Sequence, residues 1–173
     1  MSHPKIFIIL PIALVSLLAQ AVNAQVKQNQ LRNTLTGADN CLDIIENGKN
    51  NRLTMAKCGN TAGQRWSMTA SETNPKSYRL QTPFTGKDKC LNIVNDGENN
   101  KLTMAKCSKV AGQLWKITPS KTTPGNSGYY FVTNQLTGAS NCLNVINNGR
   151  NNKLTMAKCD NISGQSWNIT KAP

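Results

Sequence analysis

Apolar residues in this chain fall into short alternating strings, not long helical stripes. In Leu42-Asp43-Ile44 and Leu53-Thr54-Met55 every second residue is apolar, the period at which the side chains of a strand return to one face. Turn residues Thr36-Gly37, Asn47-Gly48 and Ala62-Gly63 separate the strings Gln30–Leu35, Cys41–Ile45, Arg52–Ala56 and Arg65–Thr69. Short strands at regular intervals with such punctuation predict an all-β fold, and beyond the N-terminal apolar run no segment shows the 3.6-residue period of an amphipathic helix. The pairs Asn47-Gly48, Asp96-Gly97 and Asn148-Gly149 stand between two strings, where a tight hairpin asks for positive φ.

The pattern is written three times. Cys41-Leu42-Asp43 to Trp66, Cys90-Leu91-Asn92 to Trp115 and Cys142-Leu143-Asn144 to Trp167 each contain L-T-M-A-K-C and then G-Q-x-W. The first cysteines lie about fifty positions apart, and the longer second interval holds the turn-rich Thr123-Pro124-Gly125-Asn126-Ser127-Gly128. Units of this kind, spanning about 30–76, 77–123 and 124–173, bury a core only by packing together. Four strands in each of three units make twelve, and a threefold arrangement closes into a barrel with no long free edge. Trp66, Trp115 and Trp167 are its structural core, with Leu42, Ile44, Leu53, Met55 and their counterparts.

The N-terminus follows a different pattern. Lys5, the apolar run Ile6–Leu18 and the small residues of Val22-Asn23-Ala24 predict a signal peptide over residues 1–24 and a mature domain over 25–173. The run is too short for a spanning helix and contains Pro11. The product is therefore expected to be secreted, or periplasmic in a bacterium, without a membrane span and as a monomer. In an exported chain six cysteines read as disulfides. Six allow 15 pairings, but only Cys41–Cys58, Cys90–Cys107 and Cys142–Cys159 give every unit the same internal bond. The sole histidine, His3, lies in the leader and no C-x-x-C pair exists, so no metal and no other cofactor is expected.

The formal charge of +12 becomes about +11 without residues 1–24. A basic exported protein is drawn to anionic cell-surface molecules such as sulfated or sialylated glycans, phospholipid head groups and lipopolysaccharide, or to stray nucleic acid, and the alternative reading is a solubility charge spread over the surface. With no histidine after the leader, no free cysteine and 8 scattered acidic residues, an enzyme is not expected. A calcium loop is excluded because Asn95-Asp96-Gly97-Glu98-Asn99 becomes Glu46-Asn47-Gly48-Lys49-Asn50 in another unit. Interleaved aromatics are missing, so no dedicated nucleic-acid groove is expected.

A Thr-Gly pair three residues ahead of Cys-Leu-Asp or Cys-Leu-Asn, then L-T-M-A-K-C, then G-Q-x-W, resembles the ricin-type lectin repeat from about Gln30 to Thr170. The resemblance implies a β-trefoil of three four-stranded repeats with pseudo-threefold symmetry and a non-catalytic carbohydrate-binding role toward glycans or glycoconjugates. The family's sugar-contacting acid maps to Asp43, with Asn92 and Asn144 at the matching positions, and its polar strand residue maps to Thr54, Thr103 and Thr155. Its glutamine maps to Gln64, Gln113 and Gln165, which support the acid or satisfy buried backbone groups. Ala56, Ala105 and Ala157 replace the stacking ring, and Gly63, Gly112 and Gly164 replace the asparagine before the glutamine. The family's galactose preference is therefore not expected to carry over.

By alternation Arg52, Lys101 and Lys153 share a face with those threonines, next to Asn51, Asn100 and Asn152. The two readings are a site for acidic or sulfated glycans and a set of solvated strand ends. Lys57, Lys106 and Lys158 lie on the other side of their strands, where threefold symmetry would set them in a ring. The competing function is a protein-interaction trefoil, an inhibitor or toxin receptor-binding subunit, acting through the non-repeating loops Glu72–Lys76 and Lys121–Gly128. Asn161-Ile162-Ser163 and Asn168-Ile169-Thr170 are glycosylation acceptor sequences.

Overall fold

The computed structural model describes residues 27–47, 50–95, 100–120, 128–147 and 152–173. Residues 1–26, on which the expected signal peptide falls, the hairpin glycines Gly48, Gly97 and Gly149, and most of the inserted loop lie outside them. The described residues form twelve strands: β1 Gln28–Asn33, β2 Asn40–Asn47, β3 Asn50–Lys57, β4 Trp66–Ala70, β5 Tyr78–Gln81, β6 Lys89–Asn95, β7 Asn100–Lys106, β8 Trp115–Pro119, β9 Tyr129–Asn134, β10 Gly138–Asn147, β11 Asn152–Lys158 and β12 Trp167–Lys171. The all-β trefoil expected from the repeat is present.

Six strands close a barrel in the order β1, β4, β5, β8, β9, β12 and back to β1, every pair antiparallel. Closure joins the first strand to the last, with Gln30 opposite Thr170 and Leu31 opposite Ile169. The other six strands form three hairpins, β2–β3, β6–β7 and β10–β11. Strands β3, β7 and β11 also pack against one another, burying Leu53, Met55, Leu102, Met104, Leu154 and Met156 in a core shared with Leu31, Leu80 and Val132 of the barrel.

Trp66, Trp115 and Trp167 are fully buried. Each indole N–H donates to the carbonyl of the leucine after its unit's first cysteine: Leu42 at 3.0 Å, Leu91 at 2.9 Å and Leu143 at 2.9 Å. A large apolar body can fill the centre only when its one polar atom is partnered, and here it is. The three disulfides join Cys41–Cys58, Cys90–Cys107 and Cys142–Cys159. Since Cys41 stands opposite Ala56, two residues before Cys58, each bridge staples the open end of its hairpin.

Two local details differ from the sequence reading. The first strand ends at Asn33 rather than Leu35, because the Asn33 side-chain carbonyl captures the Leu35 amide at 3.1 Å and bends the chain into a turn. The Ala62-Gly63 punctuation is a 3₁₀ turn, Ala62–Gln64, repeated as Ala111–Gln113 and Ser163–Gln165.

Candidate functional site

Hairpin register assembles the same outer face in each unit. Asp43 stands opposite Thr54, Asn92 opposite Thr103 and Asn144 opposite Thr155. Two positions along, toward the hairpin tip, Arg52 faces Ile45, Lys101 faces Val94 and Lys153 faces Ile146. All three cations are exposed. Their aliphatic partners are exposed too, 42% for Ile45, 44% for Val94 and 44% for Ile146. Each hairpin thus presents a threonine with a cation and an apolar side chain beside it, over an acid or amide that is half-buried in the first two units and buried in the third, where Asn144 is 6% exposed.

Those exposed aliphatic residues had no place among the candidates read from sequence. Their signal was the doublets Ile44-Ile45, Ile93-Val94 and Val145-Ile146. In a strand only one of two adjacent side chains can enter the core, so the second must face out.

Beneath this face the glutamines act on the backbone. Gln64 accepts from the Gly59 amide at 2.8 Å and donates to the Lys57 carbonyl at 3.0 Å. Gln113 bridges Ser108 N–H and Lys106 C=O, and Gln165 bridges Asp160 N–H and Lys158 C=O. All three are at most 1% exposed, so they lie below the surface a ligand would touch. In the first unit Gln64 also donates to Asp43 Oδ2 at 3.0 Å, while Asp43 Oδ1 accepts the Ile44 amide at 2.8 Å. An ionised carboxylate offers about four acceptor sites, so half-buried Asp43 keeps capacity for a ligand hydroxyl.

The glycine of G-Q-x-W has a steric cause. A Cβ on Gly112 would stand 2.5 Å from the Ile93 carbonyl oxygen and 2.7 Å from Asn92 Oδ1, and one on Gly164 would stand 2.5 Å from both Val145 O and Asn144 Oδ1. Gly63 meets Asp43 Oδ1 and the Ile44 carbonyl in the same way. The acid or amide of each unit lies folded over the glycine, in the space that any side chain at that position would claim. Asn92 Oδ1 and Asn144 Oδ1 are buried there without a hydrogen-bond partner. The glycines at 63, 112 and 164 and the inward set of Asp43, Asn92 and Asn144 therefore go together.

Lys57, Lys106 and Lys158 are exposed at the ends of β3, β7 and β11. Among the described residues no group of three or more His, Cys, Asp or Glu could hold a metal ion, and no helix is long and apolar enough to cross a membrane.

The family model of the ricin-type beta-trefoil lectin domain matches residues 27–167. The chain belongs to this family. As a class the ricin-type domain is a carbohydrate-binding module, and in larger enzymes it is a binding part attached to a separate catalytic one. Solved structures share the fold at low identity. A mosquitocidal holotoxin aligns with TM-score 0.71 and 16% identity over 86% of this chain and 18% of its own, so the chain spans under a fifth of that protein. The designed threefold-symmetric protein ThreeFoil aligns with TM-score 0.65 and 17% identity over 83% of this chain and 98% of its own. A Polyporus squamosus lectin, solved with the epitope Neu5Aca2-6Galb1-4GlcNAc, aligns with TM-score 0.65 and 14% identity over 86% of this chain and 50% of its own. No curated protein matches the chain in sequence.

Proposed function

We propose that this ricin-type domain is an exported, non-catalytic, monomeric glycan-binding protein whose three hairpin faces take acidic or sulfated sugars. The observation that carries the proposal is the recurrence of an exposed cation beside a polar cross-strand pair in all three hairpins: Arg52 by Asp43 and Thr54, Lys101 by Asn92 and Thr103, Lys153 by Asn144 and Thr155. A sulfate or carboxylate finds a charge and a hydroxyl donor there. Ile45, Val94 and Ile146 offer the apolar contact that the family's ring would supply. Three weak sites on one rigid body gain by avidity on a crowded glycan surface. The leader sequence and the three disulfides support export into an oxidising compartment.

Binding to matched neutral and sulfated glycans at two salt concentrations tests the proposal. The sulfated ligand is expected to bind more tightly, with affinity falling as salt rises and falling further when Arg52, Lys101 and Lys153 are changed together to Ala. Equal affinity for both ligands, indifferent to salt, refutes it. The missing ring in all three units favours a second reading, attachment to anionic surfaces without sugar specificity. In the same titration, equal binding to phosphatidylserine vesicles and sulfated glycan would select that reading.

A further inference from the structure

At the seam where the third unit meets the first, the barrel wall carries a row of side chains that the other two seams do not repeat. Arg32 of β1 stands opposite Asn168 of β12, which on its other side stands opposite Tyr129 of β9. Three adjacent strands thus set a guanidinium, an amide and a phenol ring in one row. The equivalent rows carry Gln81, Ser67 and Gln28 at the first seam, and Thr133 with Lys116 at the second. Only the row at the third seam combines a cation with a ring. It opens into a cleft of about 230 Å³ lined by Arg32, Asn33, Thr34, Ala38, Tyr129 and Asn168. That volume lies below the roughly 300–1,000 Å³ of sites for drug-sized ligands, so the cleft suits one sugar-sized unit.

Its side chains are held in place yet keep donors to spare. Asn33 lines it and is anchored, its amide donating to Gly164 O at 2.9 Å and its side-chain carbonyl accepting from the Leu35 amide. Asn168 Nδ2 donates to Gly128 O at 2.9 Å, and Thr34 Oγ1 donates to Ser166 O at 3.2 Å. Among the described residues Arg32 makes one guanidinium hydrogen bond, Nη2 to Gln30 Oε1 at 3.0 Å, and its Nε is buried without a partner. Arg65 and Arg79 also carry an unpartnered Nε, but neither lines this cleft. A guanidinium has five N–H donors in a planar fork matched to a carboxylate. An aromatic face beside it offers the surface on which a sugar ring's C–H groups pack.

We infer that this seam is a fourth binding site, distinct from the hairpin faces, for one carboxylate-bearing sugar residue. Its carboxylate pairs with Arg32, its ring packs on Tyr129, and its hydroxyls meet Asn168 and Thr34. Tyr129 opens strand β9, at the position held by Gln28 in the first unit and Ser77 in the second, so one seam alone carries the ring.

The test is NMR titration of the isotope-labelled oxidised protein with N-acetylneuraminic acid, glucuronic acid, methyl galactoside and inorganic sulfate. Both acidic sugars are expected to shift the Asn168 side-chain amide and the backbone signals of Thr34 and Gly128, with methyl galactoside far weaker. Arg32→Gln and Tyr129→Ser borrow the residues at the matching positions of the second unit, Gln81 and Ser77, and so suit the fold. Each should weaken the response about tenfold or more, as expected for loss of a charge-assisted bond or a ring contact. The triple Arg52, Lys101 and Lys153 variant should leave this response intact even where it removes hairpin binding. Three results would overturn the inference: shifts confined to the hairpins, an unchanged response in Arg32→Gln, or sulfate alone reproducing the acidic-sugar shifts, which marks a plain anion site.

Discussion

Adding one methyl group at Gly112 tests whether the glycine is dictated by the side chain folded over it. In Gly112→Ala the new Cβ meets the Ile93 carbonyl oxygen at 2.5 Å and Asn92 Oδ1 at 2.7 Å, whereas ordinary contact begins at 3.4 Å. Asn92 can swing away, but the carbonyl belongs to strand β6 and must retreat by nearly an ångström. Overpacking of this kind costs about 1–3 kcal/mol. At about 4 °C per kcal/mol for a domain of this size, the melting temperature should fall by roughly 4–12 °C. The control is Gly59→Ala, where the nearest atom is Thr61 Cγ2 at 3.9 Å and the change should stay within about 0.5 kcal/mol. Thermal unfolding followed by near-ultraviolet circular dichroism reads both. Gly112→Asn, which places there the residue that the family resemblance implies, should be no more stable than Gly112→Ala and should gain no galactose binding, because Asn92 already fills the space. A Gly112→Ala melt matching the parent, or a Gly59→Ala melt equally lowered, would refute the steric argument.

Gln165→Ala strips partners from Asp160 N–H and Lys158 C=O. It should lower stability by about 2–4 kcal/mol in urea unfolding; an unchanged midpoint would show that water replaces the side chain. Replacing both Cys90 and Cys107 by Ala opens a bridge of sequence separation 17 and should remove about 3 kcal/mol. Peptide mapping of the parent should recover three bridges, each inside one unit, and a bridge between units would contradict the fold. Trp115→Phe leaves the Leu91 carbonyl without its indole donor and trims the core, so a loss of about 1–3 kcal/mol by calorimetry is expected; a neutral result would mean that the bond adds nothing net.

What could be read from sequence was whatever lies within one unit. The hairpins, their bridges and the three buried tryptophans follow from local alternation repeated in register, and alternation put Arg52, Thr54 and Ala56 on one face because strand geometry leaves no other choice. The 3₁₀ turn was less visible, since Ala62-Gly63 reads equally well as a simple turn. The reason for Gly63, Gly112 and Gly164 needed coordinates, because the crowding atoms come from another strand about twenty residues earlier. Ile45, Val94 and Ile146 are not legible as surface residues from their apolar character alone, and only the doublet, which cannot send both side chains inward, marks them. The seam cleft was out of reach altogether. Arg32 and Asn168 become neighbours only through barrel closure, and nothing in the repeat announces a site that occurs once.

That closure also bears on how the molecule can be rebuilt. With Ala172 N–H donating to Gln28 C=O at 2.9 Å, a few linking residues would join the first and last strands of the barrel, and the ring so formed could be cut in the exposed stretch around Pro75 and Lys76 without severing any rung of the barrel. A fusion partner attached at Gln28 or Ala172 would in either case leave from the same corner.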